Sequence, residues 1–162
     1  MRAHRPSRVI VMALTATLAA VAAAAPVSAA APMGVEIVSP MTFAPPGEFN
    51  FGTFEASGPA VDEGLICESG DVNDTGIILA GGQSRVGKLQ IPVYKTFTCP
   101  DGELFIRIQV HLDLETFTET FRWVVLGGTG AYANVRGSGS GFSFSEDPNV
   151  GNVNVYSGFL IG

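Results

Sequence analysis

The sequence predicts an all-β fold, a single antiparallel eight-stranded β-barrel, with a β-sandwich as the alternative. Three observations lead there. From Gly47 onward no stretch carries a helical apolar period, and short runs between turn residues alternate at period two. Glycine is abundant, with 20 in the chain, and falls mainly between those runs. Gly137, Gly139 and Gly141 occupy alternate positions of one run, and small residues on one face permit the curvature of a small barrel. An antiparallel sheet of about eight strands with no helix to cover it must bury a face and dispose of its edges; closure does both.

In chain order, VEIVS (35–39) is a candidate first strand, followed by EFNFGTFEASG (48–58) and GLICES (64–69). DVNDTG (71–76) reads as a plain turn. It resembles the start of a calcium-binding loop, but the twelfth position is Gly82 where a bidentate Glu is needed. Asn73-Asp74-Thr75 is also an N-glycosylation sequon, meaningful only in a eukaryotic secretory pathway. GKLQIPVYKTFTC (87–99) and ELFIRIQVHLDLE (103–115) flank a Pro-Asp-Gly turn and predict a hairpin. In the second, Leu104, Ile106, Ile108, Val110, Leu112 and Leu114 share one face against a polar one. Phe117, Phe121, Trp123 and Val125 align on the next strand, and GSGSGFSFS (137–145) and NVNVYSGFLI (152–161) complete the set.

The organisation divides into a leader over 1–30, an N-terminal segment over 31–47 that holds the candidate first strand, and a barrel domain over 48–162. Arg2, His4, Arg5 and Arg8 precede an uncharged run, Val9 to Ala25, then Pro26 and small residues that allow cleavage after Ala29, Ala30 or Ala31. That pattern is a secretory signal peptide, which predicts a secreted protein without stable membrane insertion once the leader is removed. A single membrane anchor is the competing reading. No Cys stands at the cleavage point and Arg5 and Arg8 are separated, which speaks against lipidation and a twin-arginine route.

Loss of the leader takes Lys+Arg from 9 to 6 against 15 Asp+Glu, near −9 for the mature chain. Nucleic-acid phosphates would repel such a chain, and anionic membranes disfavour it likewise. In an oxidising compartment Cys67 and Cys99 read as one disulfide, and two buried free thiols are the alternative. The mature chain keeps a single His, His111, so no ordinary Cys/His metal site can be assembled.

The string Gly128-Thr129-Gly130-Ala131-Tyr132-Ala133 matches a dinucleotide fingerprint, but that motif needs a helix after it to receive the phosphate. Here N-V-R-G-S-G-S-G follows, a poor helix sequence, so no nucleotide or other cofactor is expected. The segment reads instead as a turn in which Gly127, Gly128 and Gly130 supply positive φ, and Tyr132 and Val135 fold back over the barrel end.

This same segment, WVVLGGTGAYANVRGSG from Trp123 to Gly139, resembles the GGTG stretch of the allene oxide cyclase and dirigent protein superfamily. More closely it is similar to small secreted bacterial proteins with an allene oxide cyclase-like barrel. The resemblance implies an eight-stranded antiparallel barrel with an apolar cavity, and a homo-oligomer, often a trimer. Plant members of the superfamily cyclise a fatty-acid epoxide or steer the coupling of phenoxy radicals. The strong match covers about seventeen residues; the cyclases' catalytic residues lie on earlier strands, where no motif aligns, so none is carried over.

Among polar residues, Glu119 falls in register with Phe117, Phe121, Trp123 and Val125. Facing the interior it would be an acid–base carboxylate in an apolar cavity. The plainer reading, preferred here, starts the strand only after Glu119. His111 and Asp113 lie on one strand face beside Arg107 with no nucleophile tied to them, so a solvated outer face is expected. Three functions follow as expectations. The first is a non-catalytic secreted barrel that binds a small hydrophobic molecule through Phe117, Phe121, Trp123 and Tyr132, or serves as a stable extracellular module. The second is a cyclase or isomerase using Glu119, and the third a surface interaction protein without a cavity.

Overall fold

The computed structural model describes residues 30–77 and 87–162. The leader expected over 1–30 lies, but for its last residue, outside the described residues. Eight strands run in chain order: β1 (Met33–Thr42), β2 (Phe51–Ser57), β3 (Ser69–Ile77), β4 (Lys88–Cys99), β5 (Gly102–Asp113), β6 (Glu119–Gly128), β7 (Arg136–Phe144) and β8 (Gly151–Ile161). Each pairs antiparallel with the next, and β1 pairs with β8 over its whole length, so the sheet closes into the expected barrel. Closure satisfies both edges, which a sandwich would leave to other devices.

Two element assignments differ from the sequence reading. The barrel takes in the N-terminal segment, because Met33–Thr42 is a full strand and the sheet cannot close without it. The third strand is Ser69–Ile77, which includes DVNDTG, whereas GLICES is irregular. Asp, Asn and Gly favour turns on local grounds, but cross-strand pairing with β2 and β4 overrides them here. Val72 and Asp74 point inward while Asp71, Asn73 and Thr75 face out, and a register shift between Asp74 and Gly76 bends the strand.

The two barrel ends are unlike. At one, a four-residue helix α1 (Pro59–Asp62) and the GGTG turn cap the interior: Ala60, Ile66, Tyr132 and Val135 are all buried in the core. The Cys67–Cys99 disulfide stands at this end, with Cα atoms 5.9 Å apart, and ties the segment before β3 to the end of β4. In the middle, Phe54, Phe97, Phe121 and Tyr156 form a chain of tilted and edge-on rings with centroids 4.9–5.8 Å apart. They fill the barrel's waist. The other end, where the β1–β2, β5–β6 and β7–β8 connections lie, carries most of the interior's polar residues.

The glycine face of β7 has a packing purpose beyond curvature. Gly139 lies opposite Trp123 and Gly141 opposite Phe121. A Cβ on Gly139 would stand 2.6 Å from the indole Nε1, and one on Gly141 would run into the Phe121 ring. The missing side chains are the space those rings occupy.

Candidate functional site

At the open end a pocket of about 230 Å³ enters the barrel. Its apolar walls come from Met41, Phe43, Ile77, Ile91, Val93, Ile108 and Val110, and its polar groups from Asn50, Asp74, Lys95, Glu119, Asn152 and Asn154. Six strands (β1, β3, β4, β5, β6 and β8) and two residues of the β1–β2 connection, Phe43 and Asn50, assemble this set. Larger hollows, of about 420 Å³ beside the β7–β8 connection and about 430 Å³ between β1 and β2, lie on the outer surface and do not reach the buried polar groups.

Asp74 and Lys95 face each other across the β3–β4 register, each only 4% exposed, and pair at 2.5 Å. The second Asp74 oxygen accepts from Asn50 Nδ2 at 2.9 Å, and Asn50 Oδ1 in turn accepts from the Ala44 backbone N–H at 3.1 Å. The buried ions are therefore paired and further hydrogen-bonded, as a low-dielectric interior demands.

A polar row crosses the opposite wall. Ser39, Asn154, Ser143 and Glu119 are register partners in turn on β1, β8, β7 and β6. Ser143 Oγ lies 2.7 Å from Glu119 Oε1 and 2.7 Å from Asn154 Oδ1. One hydroxyl carries one proton, so Ser143 donates to one of the two while its lone pairs face the other. Beneath this row the Tyr156 hydroxyl is fully buried without a hydrogen-bond partner among the described residues. Burial, and then the charges of Asp74 and Glu119, hold its pKa well above the ordinary tyrosine value.

Glu119 opens β6 with its side chain half-buried in the pocket wall, so the strand begins at this residue and not after it. Of the aromatic candidates, Phe121 and Trp123 belong to the packed core, and the Trp123 indole N–H donates to the Ser157 carbonyl at 3.3 Å. Tyr132 is buried at the capped end. Phe117 is 79% exposed in the β5–β6 connection at φ 53°, off the strand on which the period had placed it. Leu114 is likewise beyond the strand, because Asp113 Oδ1 accepts the backbone N–H groups of Glu115 and Thr116 and turns the chain there. Those two bonds also hold the Asp113 carboxyl below the usual carboxylate range. His111 and Arg107 are exposed on the outer face.

The GGTG segment forms the β6–β7 connection, with a three-residue 3₁₀ turn (Gly130–Tyr132) where a phosphate-binding helix would have to begin. Gly127 and Gly130 take positive φ, at 157° and 56°. Gly128 does not; a Cβ there would stand 2.5 Å from the Tyr132 carbonyl and 2.6 Å from that of Glu103. Close backbone approach, not φ, is its requirement.

Missed in the sequence were Asp74, Lys95, Asn50 and Asn154. Inward polar residues on strands are the signal, visible once β3 is recognised as a strand. No group of three or more His, Cys, Asp or Glu side chains suited to a metal ion occurs among the described residues. Nor is any helix among them long and apolar enough to cross a membrane.

Fold and site together define the class: a closed, disulfide-bonded eight-stranded antiparallel barrel, capped at one end and pocketed at the other. Comparison of the chain with protein-family models, with curated proteins and with solved structures finds no match.

Proposed function

We propose that this protein is a secreted, non-catalytic barrel of the allene oxide cyclase/dirigent-like kind that binds a small, mainly apolar molecule in the pocket at its open end. The observation that carries this reading is the pocket itself. Seven apolar side chains surround polar groups held by mutual hydrogen bonds, an arrangement typical of small-molecule sites. The disulfide supports passage through an oxidising compartment. The GGTG segment connects two strands, the use that the family resemblance implies for it.

At about 230 Å³ the pocket falls below the roughly 300–1,000 Å³ of drug-sized sites, so the guest is small. The aromatic waist limits its depth. Titration of the ¹⁵N-labelled protein with a panel of small apolar compounds tests the reading. Saturable shifts at Val110, Glu119 and Asn154 are expected, and a panel that leaves these amides unmoved would overturn it.

A second reading, an isomerase or cyclase acting on a hydrophobic substrate, draws on one observation. Glu119 is a carboxylate fixed by Ser143 at the pocket wall, suited to moving a proton on a bound molecule. Turnover retained in Glu119→Gln would remove that role.

A further inference from the structure

The outer wall over β1, β8, β7 and β6 carries an apolar strip flanked by two opposite charges, and its layout is self-complementary. We infer that two copies of the chain associate through this wall, related by a two-fold axis that runs along the strands between β7 and β8.

The outward residues fall in register rows. Val38, Val155 and Phe142 form one row, and Pro40, Val153 and Phe144 the next. Phe142 and Phe144 are each 49% exposed with their rings stacked at 6.3 Å, and Val38 is 44% exposed. Large apolar side chains this exposed and this contiguous mark an interaction surface. Beside the second row a hollow of about 420 Å³ lies against Pro40, Val150 and Val153, with Phe144 on its wall. The strip therefore presents both an exposed ring and an apolar hollow able to receive one.

The placement of charge selects a second copy as the occupant. On the capped side of the strip the next row reads Glu36, Ser157, Ser140 and Arg122, from β1 across to β6. Glu36 and Arg122 are exposed, and neither has an ion-pair partner among the described residues. Between the Ser138–Phe159 row and the Phe144–Val153 row, the outward positions of β7 and β8 carry no charge. A two-fold along the strands exchanges β8 with β7 and β1 with β6 while keeping each residue in its row. It sets Glu36 opposite Arg122 of the second copy, and does so twice. It also sets Val155 opposite Phe142, and Phe144 over Val153 at the hollow.

An isologous contact requires this kind of self-complementarity. A surface of a single charge sign would satisfy one of the two flanking residues and repel the other. Face-to-face sheets pack with strand directions within about 30° of each other, which this axis respects. Four rows on four strands span about 20 Å by about 14 Å. That is the scale of a small specific interface, so the dimer is expected to dissociate at roughly 10 μM. The contact is lateral, and both open ends then lie on the same side of the dimer.

Sedimentation velocity of the disulfide-bonded protein, from about 1 to about 500 μM, tests the inference on either side of that value. A monomer–dimer equilibrium is expected. Glu36→Arg and Arg122→Glu each place like charges face to face twice, and each should weaken the dimer about tenfold or more. Mixing these two variants restores opposite charges at both positions, so the mixture should dimerise where neither variant does alone. Phe142→Ser/Phe144→Ser should be monomeric throughout. A monomer at every concentration, a trimer as the limiting species, a dimer indifferent to both reversals, or a mixture no tighter than its components would overturn the inference. All four substituted side chains are exposed, and the unaltered protein alone decides whether a dimer forms. The pocket reading stands or falls separately, on ligand titration.

Discussion

The indole of Trp123 lies against Gly139, its register partner on β7, so closely that a single added methyl would sit 2.6 Å from Nε1 and 2.7 Å from Cε2. The Cβ would also meet the Ser157 backbone carbonyl, which cannot swing away as a side chain can. Gly158, the register partner of Gly139 on β8, is under the same constraint: a Cβ there would stand 2.5 Å from the indole Cζ2.

Gly139→Ala is therefore expected to destabilise the barrel by about 1–3 kcal/mol or more, the usual cost of overpacking a filled core. Gly34, where an added Cβ meets nothing within 4 Å, is the control: Gly34→Ala should be near neutral. Urea midpoints of the two variants check the contrast.

The Cys67–Cys99 bridge closes a sequence separation of 32 residues, which in the chain-entropy description stabilises by about 3–4 kcal/mol. Cys67→Ser/Cys99→Ser should lose stability of that order, seen as a lowered melting temperature. The untreated protein should show no free thiol on titration under denaturing conditions.

Breaking the buried ion pair on one side should cost more than removing it whole. Lys95→Met strands the Asp74 carboxylate and is expected to cost about 3–5 kcal/mol. Asp74→Leu/Lys95→Met removes both ions and should recover much of that loss, less what Asn50 forfeits with its acceptor. A double-mutant cycle in urea measures the difference.

Tyr156 makes alkaline stability predictable in sign. Unfolded tyrosine ionises near pH 10, and in the folded barrel burial and the two carboxylates raise the value well above that. Beyond about pH 10 the unfolded chain sheds this proton while the folded one retains it, so stability is intact below that pH and falls as pH rises further. Tyr156→Phe also removes an unpaired buried hydroxyl. It should be neutral or stabilising at pH 7 and should flatten the alkaline fall, leaving a smaller slope from Tyr132, which burial and Asp101 also raise. Melting temperatures across pH 8–11 check both.

Where side chains alternate without interruption, the chain could be read directly. β5 is legible because Leu104, Ile106, Ile108 and Val110 each meet the core, and an apolar face buried on one side imposes period two. β3 is not. Its Asp, Asn and Gly residues carry local turn preferences, and what makes them a strand is hydrogen bonding to β2 and β4, which no local window contains. The aromatic stripe misled at Phe117 for the converse reason. Its period continues the pattern of β6, but the chain turns at Asp113 to Thr118 before the pairing resumes.

By itself, then, the sequence determined the all-β class, the cross-link and the glycine turn, because alternation, cysteine pairing and glycine's missing Cβ act over short stretches or by simple count. Only the tertiary structure decided which end is capped and where polar groups gather. Asp74 and Lys95 are 21 positions apart, Glu119 and Ser143 are 24 apart, and barrel closure and strand register alone bring each pair within hydrogen-bond reach. The pocket belongs to that register and to no single segment of the chain.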